Sequence, residues 1–275
     1  MRPTPDIGFI GAGNMARSLI GGLLDQGHPR ARLHAADPGL EARDACAALG
    51  IEVTDDNRAV CGAVDVLVLA VKPQAMAEVA VELSPAVRAH RPLVISIAAG
   101  IPLASLARWF EDPRLPMARA MPNTPALLGC GASGLYANKA CTDLQRQQAE
   151  QTLGAVGVVE WLDSEAALDA VTALSGSGPA YFFLLIELLG DIGTELGLPP
   201  RTARTLACQT ALGAARMAAE SGVDPAELRR RVTSPGGTTE AALASLEASG
   251  IRDMFSRALH AAEARARALG SGDRD

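Results

Sequence analysis

The sequence predicts an α/β fold: a doubly wound parallel sheet over residues 1–162, followed by an all-helical region over residues 163–275. Three observations lead there. Short apolar runs ending at glycine or proline alternate with helical periods up to Asp163, the pattern of parallel strands covered on both faces. A glycine-rich turn closes the first apolar run and opens the first helical stretch. Beyond Asp163 the strand signals stop, and Ala, Leu, Glu and Arg recur at helical spacing.

In chain order, Ile7–Ile10 is the first strand and Met15–Gln26 the amphipathic helix after it. Arg32–Asp37 is a second strand, followed by a helical Glu41–Leu49. Val64–Val71 is the most apolar run and is closed by Pro73; Leu93–Ile97 repeats the pattern and stops at Gly100. Gly134–Asn138 and Val156–Trp161 are expected as edge strands. Helices are then predicted over Glu165–Thr172, Pro179–Leu196, Arg201–Glu220, Pro225–Arg231, Thr239–Ala248 and Arg252–Leu269. Asp224-Pro225-Ala226-Glu227 supplies a cap, a proline at the first helical position and an acid in the first turn. Arg201–Glu220 and the helix before it are apolar or small around most of their circumference. Such helices are normally covered on several sides, and a second copy of the chain is the expected cover.

Composition narrows the function. Of 275 residues, 48% are hydrophobic and 20% charged, a globular balance. A net charge of −6 argues against nucleic acid, which calls for a basic patch. The five cysteines are scattered and odd in number, the four histidines are dispersed, and no pair has metal-ligand spacing. That pattern suits free thiols in a reducing cytoplasm, with no metal. No apolar run reaches the roughly 18 residues of a membrane span, so no membrane association is expected.

Chemistry concentrates in a few places. Gly8-Phe9-Ile10-Gly11-Ala12-Gly13-Asn14-Met15-Ala16 sets Gly-x-Gly-x-x-Ala between a strand and a helix. Gly11 permits the tight turn, Gly13 lets backbone approach a pyrophosphate, and Ala16 keeps helix and strand close. The free N–H groups of the helix start then face an anion. This is the dinucleotide signature of a Rossmann-type sheet. Asp37 ends the second strand; a carboxylate there accepts from a ribose 2′-hydroxyl or caps the next helix, while Arg43 is within reach of a 2′-phosphate. The motif therefore leaves NADPH and NADH both open. Lys72, at the carboxyl end of the most apolar strand, is one of two lysines beside 23 arginines. A compact ammonium there orients a nucleotide, or is an ordinary strand-end lysine. Ser96-Ile97-Ala98-Ala99-Gly100 ends the next strand with small residues that admit a flat ring. Asn123, inside Met121-Pro122-Asn123-Thr124-Pro125, either fixes a carboxamide or holds a loop.

Two glycine-serine turns mark the helical region. Leu174–Gly178 leads into a long helix that Ser177 or Gly178 can cap. Thr233-Ser234-Pro235-Gly236-Gly237-Thr238-Thr239 leads into Glu240–Ala248. Its tandem glycines and helix dipole suit a small carboxylate, with the threonine hydroxyls in reach; a simple threonine cap is the plainer alternative. No Ser-His-Asp order and no paired carboxylates stand out. An imine substrate asks little of such groups, because its protonated nitrogen already activates the adjacent carbon for hydride.

Taken together, Gly8–Ala16, Ala70-Val71-Lys72-Pro73, Ser96–Gly100, Arg119–Pro125, Asp169–Phe182 and Val232–Thr239 resemble the pyrroline-5-carboxylate reductase family in order and spacing. The resemblance implies a Rossmann domain and a helical dimerisation domain, two chains with interlocked helices, and larger assemblies of dimers in some members. It implies reduction of 1-pyrroline-5-carboxylate to L-proline, with NADPH expected and NADH also accepted. Carried across, Thr239 matches the threonine that hydrogen-bonds the substrate nitrogen, and Thr238 and Gly237, in the turn from Ser234, match the carboxylate loop. Glu165 matches a substrate-binding acid. Asn57, just before an expected helix, and Ala70, Lys72 and Pro73 match nucleotide contacts, and Ile97, Ala98 and Ala99 the nicotinamide-side strand end. Arg231 stands where some members have asparagine. Two other readings compete: a β-hydroxyacid reductase, which needs a catalytic lysine or histidine and has only Lys72 nearby, and a dinucleotide-sensing dimer without turnover.

Overall fold

The computed structural model describes residues 4–62 and 64–271. Eight strands form one sheet: β1 (Ile7–Ile10), β2 (Leu33–Ala36), β3 (Glu52–Thr54), β4 (Val66–Leu69), β5 (Leu93–Ser96), β6 (Met117–Met121), β7 (Gly131–Ala137) and β8 (Gly157–Trp161), in the order β3-β2-β1-β4-β5-β6-β7-β8. β1 to β6 run parallel to one another; β7 is antiparallel to β6 and parallel to β8. The chain order reverses between β1 and β4, which puts the ligand crevice of such a sheet at the carboxyl ends of those two strands.

Strand alternation builds two cores. Phe9, Val66, Val68 and Ile95 point into one, with Leu19 and Ile20 of α1 (Asn14–Asp25). Ile10, Leu67, Leu69 and Val94 point into the other, against Met76 and Leu83 of α4 (Met76–His90) and Phe110 at the end of α5 (Leu103–Trp109). Because both faces are buried, β1, β4 and β5 read as unbroken apolar runs. Each fully buried Leu or Phe adds about 1.5–3 kcal/mol by leaving water. Helices α2 (Leu40–Ala47), α3 (Asn57–Cys61) and α6 (Asp143–Gly154) also belong to this part.

Some expectations are corrected. Gly134–Asn138 is no edge strand: β7 is paired on both sides, and β3 and β8 are the edges. β3 and β6 were not anticipated; Glu-Val-Thr is too short to show a pattern, and Met-Ala-Arg-Ala-Met is poor in strand formers. The Leu174–Gly178 turn is instead a π-helical segment, Thr172–Gly176, running from α7 (Ala167–Val171) into α8 (Gly178–Glu195), and Ser177 makes no side-chain cap bond there. A single helix, Ala167–Glu195, results, long and apolar enough to cross a membrane by length and composition.

The chain forms two compact units. One runs to Gly176 and takes back the chain from Ala262; the other is Ser177–Ala261. The sequence boundary after residue 162 falls earlier, and α7 packs on β6 and β7 of the sheet unit. The second unit holds α8, α9 (Pro200–Glu220), α10 (Pro225–Arg231), α11 (Thr238–Ala248) and the start of α12 (Ile251–Ser271). Its packed pair is α8 against α9. In the single chain Phe182 and Phe183 are 60% and 64% exposed, and Leu189, Leu206 and Leu212 are exposed as well. So large an apolar surface marks an interaction face.

Candidate active site

The glycine-rich turn sits at the crevice. Gly11 has φ +97°, and a Cβ on it would come 2.7 Å from the Ala70 carbonyl oxygen. The turn thus rests on backbone at the end of β4, tied by Gly11 N to Ala36 O at 2.7 Å and Ala70 N to Ile10 O at 2.8 Å. Gly13 is the N-cap of α1, with extended backbone and no side-chain cap bond. A Cβ on Gly13 would meet no protein atom within 4 Å, so a glycine here serves an approach from outside the chain. The uncapped amides of Asn14, Met15 and Ala16 are suited to a pyrophosphate. These residues fit a dinucleotide.

The loop after β2 is braced rather than open. Asp37 Oδ2 accepts from Ala12 N at 2.8 Å and Oδ1 from Gly39 N at 2.8 Å, so its carboxylate joins this loop to the phosphate turn and does not cap α2, whose N-cap is Gly39. Arg43 Nη1 donates to the carbonyls of Asp37 and Pro38 at 2.9 and 2.8 Å, placing a guanidinium beside the same loop. Asn57 is the first residue of α3 rather than preceding it. Asp56 is the cap, and Asn57 Nδ2 donates to Glu82 Oε2 at 3.3 Å. Lys72, exposed, precedes a 3-10 turn that starts at Pro73. Beyond β5, Ala98 is buried while Ile97 and Ala99 are half-buried.

Asn123 is 9% exposed. Its Oδ1 accepts from Ala132 N at 2.8 Å and its Nδ2 donates to Ser175 O at 3.0 Å. Of the two roles open from sequence, this is the loop-holding one. Glu165 lies between β8 and α7, where its Oε1 accepts from Arg119 Nη1 at 3.1 Å and from Leu103 N at 2.8 Å. Sequence reasoning gave Arg119 no role. The available signal was a guanidinium in the middle of an otherwise apolar β6.

In the helical unit, Gly236 has φ +68° and Gly237 is the N-cap of α11, without a side-chain cap bond. The expected tandem-glycine anion seat is revised. Gly237 N donates to Ser234 O at 3.0 Å and Gly236 N to Glu240 Oε2 at 2.7 Å. The open amides are those of Thr238 and Thr239, in the uncapped first turn. Glu240, missed from sequence, reaches back as the acid of a capping box does. Arg231 is exposed and pairs with Glu227 at 2.8 Å. Among the described residues no group of three or more His, Cys, Asp or Glu is placed to hold a metal ion.

Residues 165–269 match the family model for pyrroline-5-carboxylate reductase dimerisation, and residues 6–100 that for NADP oxidoreductase, coenzyme F420-dependent. The pyrroline-5-carboxylate reductase of Pseudomonas aeruginosa is 57% identical over 267 residues, 97% of each chain. The chain belongs to the pyrroline-5-carboxylate reductase family. The solved structure of a pyrroline-5-carboxylate reductase from Coxiella burnetii superposes with a TM-score of 0.93 at 42% identity, over 97% of this chain and 99% of that one. The Plasmodium falciparum enzyme, solved with NADP bound, superposes with a TM-score of 0.85 at 28% identity, covering 97% and 98%. As in the family, the sheet unit is a nicotinamide-nucleotide domain and the apolar helical region a dimerisation domain. The membrane-length helix Ala167–Glu195 falls within the residues matched to the dimerisation model.

Proposed function

We propose that this chain reduces 1-pyrroline-5-carboxylate to L-proline with NADPH, accepting NADH as well, as a cytoplasmic homodimer that can assemble further. The carrying observation is the uncapped start of α11, bearing Thr238 and Thr239, in a chain of this reductase family from end to end. Gly11, Gly13, Asn14 and Met15 take the pyrophosphate, with Asp37, Asn57, Ala70, Lys72 and Pro73 along the nucleotide. Ile97, Ala98 and Ala99 bound the nicotinamide side, and Asn123 acts there by holding the strand end. Bound there, the reduced nicotinamide supplies a hydride to the imine carbon.

The chain's own groups do the rest. The Thr238 and Thr239 amides, with the Ser234 and Thr238 hydroxyls, bind the substrate carboxylate at the positive end of a helix dipole, and Gly237 shapes the turn that presents them. The Thr239 hydroxyl bonds the ring nitrogen, which arrives already protonated as the iminium and keeps that proton as the C=N bond becomes single, and Glu165 serves as a substrate-binding acid. Orientation of two reactants contributes about 7–11 kcal/mol by itself, so no strong side-chain acid is required. The test is direct: mix purified protein with racemic pyrroline-5-carboxylate and NADPH or NADH and follow nicotinamide absorbance. Proline formation with loss of reduced cofactor is expected; fresh, folded protein that oxidises neither cofactor would refute the reading.

A further inference from the structure

Arg119 is 7% exposed, in the interior of the sheet, opposite Ser96 of β5 and Tyr136 of β7. A buried guanidinium is tolerated only when paired and hydrogen-bonded. Its partner, Glu165, comes from 46 residues further along the chain. The pair does more than neutralise itself. The oxygen of Glu165 that meets Arg119 also takes the N–H of Leu103, the first residue of α5, whose own N-cap, Pro102, offers no side-chain acceptor.

These contacts frame one short segment. Ser96, register partner of Arg119, is where β5 ends, and Leu103 is where α5 begins. Between them lie Ile97–Pro102, including Ala98 and Ala99. One end is held by the sheet beside Arg119 and the other by the carboxylate that Arg119 holds. The middle is pressed as well: Gly100 has φ +74°, and a Cβ there would lie 3.0 Å from the Leu269 Cβ and 3.2 Å from its carbonyl carbon. The segment has little room to adjust if its anchor moves.

We propose that Arg119 is a positioning residue for hydride transfer: by fixing Glu165 it sets the Leu103 amide, and with it the Ile97–Pro102 segment that backs the nicotinamide ring. The proposal rests on the reading of Ile97–Ala99 as the nicotinamide side. Arg119 touches neither reactant. Its Nη1 reaches Glu165 Oε1 from behind at 3.1 Å, a reach that the shorter lysine, with one ammonium in place of a planar guanidinium, does not reproduce.

Two variants test it. Arg119→Lys keeps the charge and loses the planar guanidinium and its reach. The double variant Arg119→Met/Glu165→Gln removes both charges, so no unpaired ion is left buried if the single change impairs folding. Hydrogen exchange of the amides over residues 97–106 is expected to quicken in both, without ligand and independent of turnover. In Arg119→Lys, kcat is expected to fall by about 10- to 100-fold, the scale of a misplaced reactant. NADPH affinity should stay within about three-fold, and the isotope effect from NADPH deuterated at the transferred position should grow, as chemistry becomes slower than release. Unchanged exchange over 97–106 would overturn the proposal. So would a loss confined to NADPH affinity, or full turnover per folded molecule. Failure of the unaltered protein to turn over would instead refute the assigned reaction, and the exchange measurement would still decide whether Arg119 sets the segment.

Discussion

At the residue scale, the hydroxyl of Thr239 is the group closest to chemistry in the proposed site. Thr239→Val keeps the shape and removes the hydrogen bond, so turnover is expected to fall by about ten-fold or more, the value of a bond to a developing charge. NADPH binding, followed by nicotinamide fluorescence, should be unchanged; equal turnover would remove Thr239 from the mechanism. Arg43 carries a second prediction. With both Asp37 oxygens committed to backbone N–H groups, discrimination of a 2′-phosphate falls to the guanidinium. Arg43→Gln should raise KM for NADPH several-fold and leave KM for NADH near its original value; equal effects on the two would place Arg43 outside recognition. Thiol reactivity is a third. Burial pushes the Cys61 and Cys141 thiols up to about 11, so neither forms thiolate at neutral pH. Iodoacetamide at pH 7 should label exposed Cys130 and spare Cys61 and Cys141, read by peptide mass spectrometry. Much at this scale was legible in sequence: the left-handed backbone at Gly11 calls for glycine, and Gly13 follows from the spacing of the strand–turn–helix motif. What was not legible was partnership. Nothing within the chain's first 100 residues announces that Glu165 will cap Leu103.

At the element scale, legibility followed how completely each element declares its environment. β1, β4 and β5 are buried on both faces and read as apolar runs, whereas β6 hides behind small residues and one arginine, and β7, legible as a strand, gives no sign of its second partner. Their place is fixed by long-range bonds, above all those of Asn123 to Ala132 N and Ser175 O. Asn123→Ala breaks both and leaves a buried N–H and a carbonyl unmatched, at about 1–3 kcal/mol each. A fall in melting temperature of several degrees is expected, and an unchanged melting curve would show that the clamp contributes nothing. The π-helical segment Thr172–Gly176 escaped for a different reason. Ser, Gly and Pro are turn residues by propensity, yet here Thr172 and Ser175 bond back to carbonyls four residues earlier and keep the coil continuous. Which amides remain open around the α11 start depends on Glu240, whose side chain takes the Gly236 N–H, and the glycine pair alone gives no sign of that.

At the scale of the whole molecule, the helical unit displays Phe182, Phe183, Leu189, Leu206 and Leu212 to solvent in the single chain, and the matched family region is a dimer-forming one. Burial of such a face amounts to folding free energy for each protomer, so stability depends on concentration. Dilution is expected to lose activity and helical signal together, measured by sedimentation and circular dichroism at matched concentrations. A sedimenting monomer that retains full turnover would contradict this. That this region is of a dimer-forming kind was visible in sequence, from helices apolar around most of their surface. The division of the chain was less so, because the helix from Ala167 begins among the strands' contacts before it enters the helical unit.

The final helix has a practical consequence for anyone wishing to take this molecule apart. It starts among the helices at Ile251 and finishes with Leu269 seated on Gly100, so the polypeptide passes from one unit to the other twice. A fragment stopped at Gly176 would carry every strand and yet lack the last turns that bear on the 97–102 segment. A faithful nucleotide-binding module would have to be made by joining the stretch from Ala262 back on through a linker that spans the two cut ends, with no appendage crowding its tail.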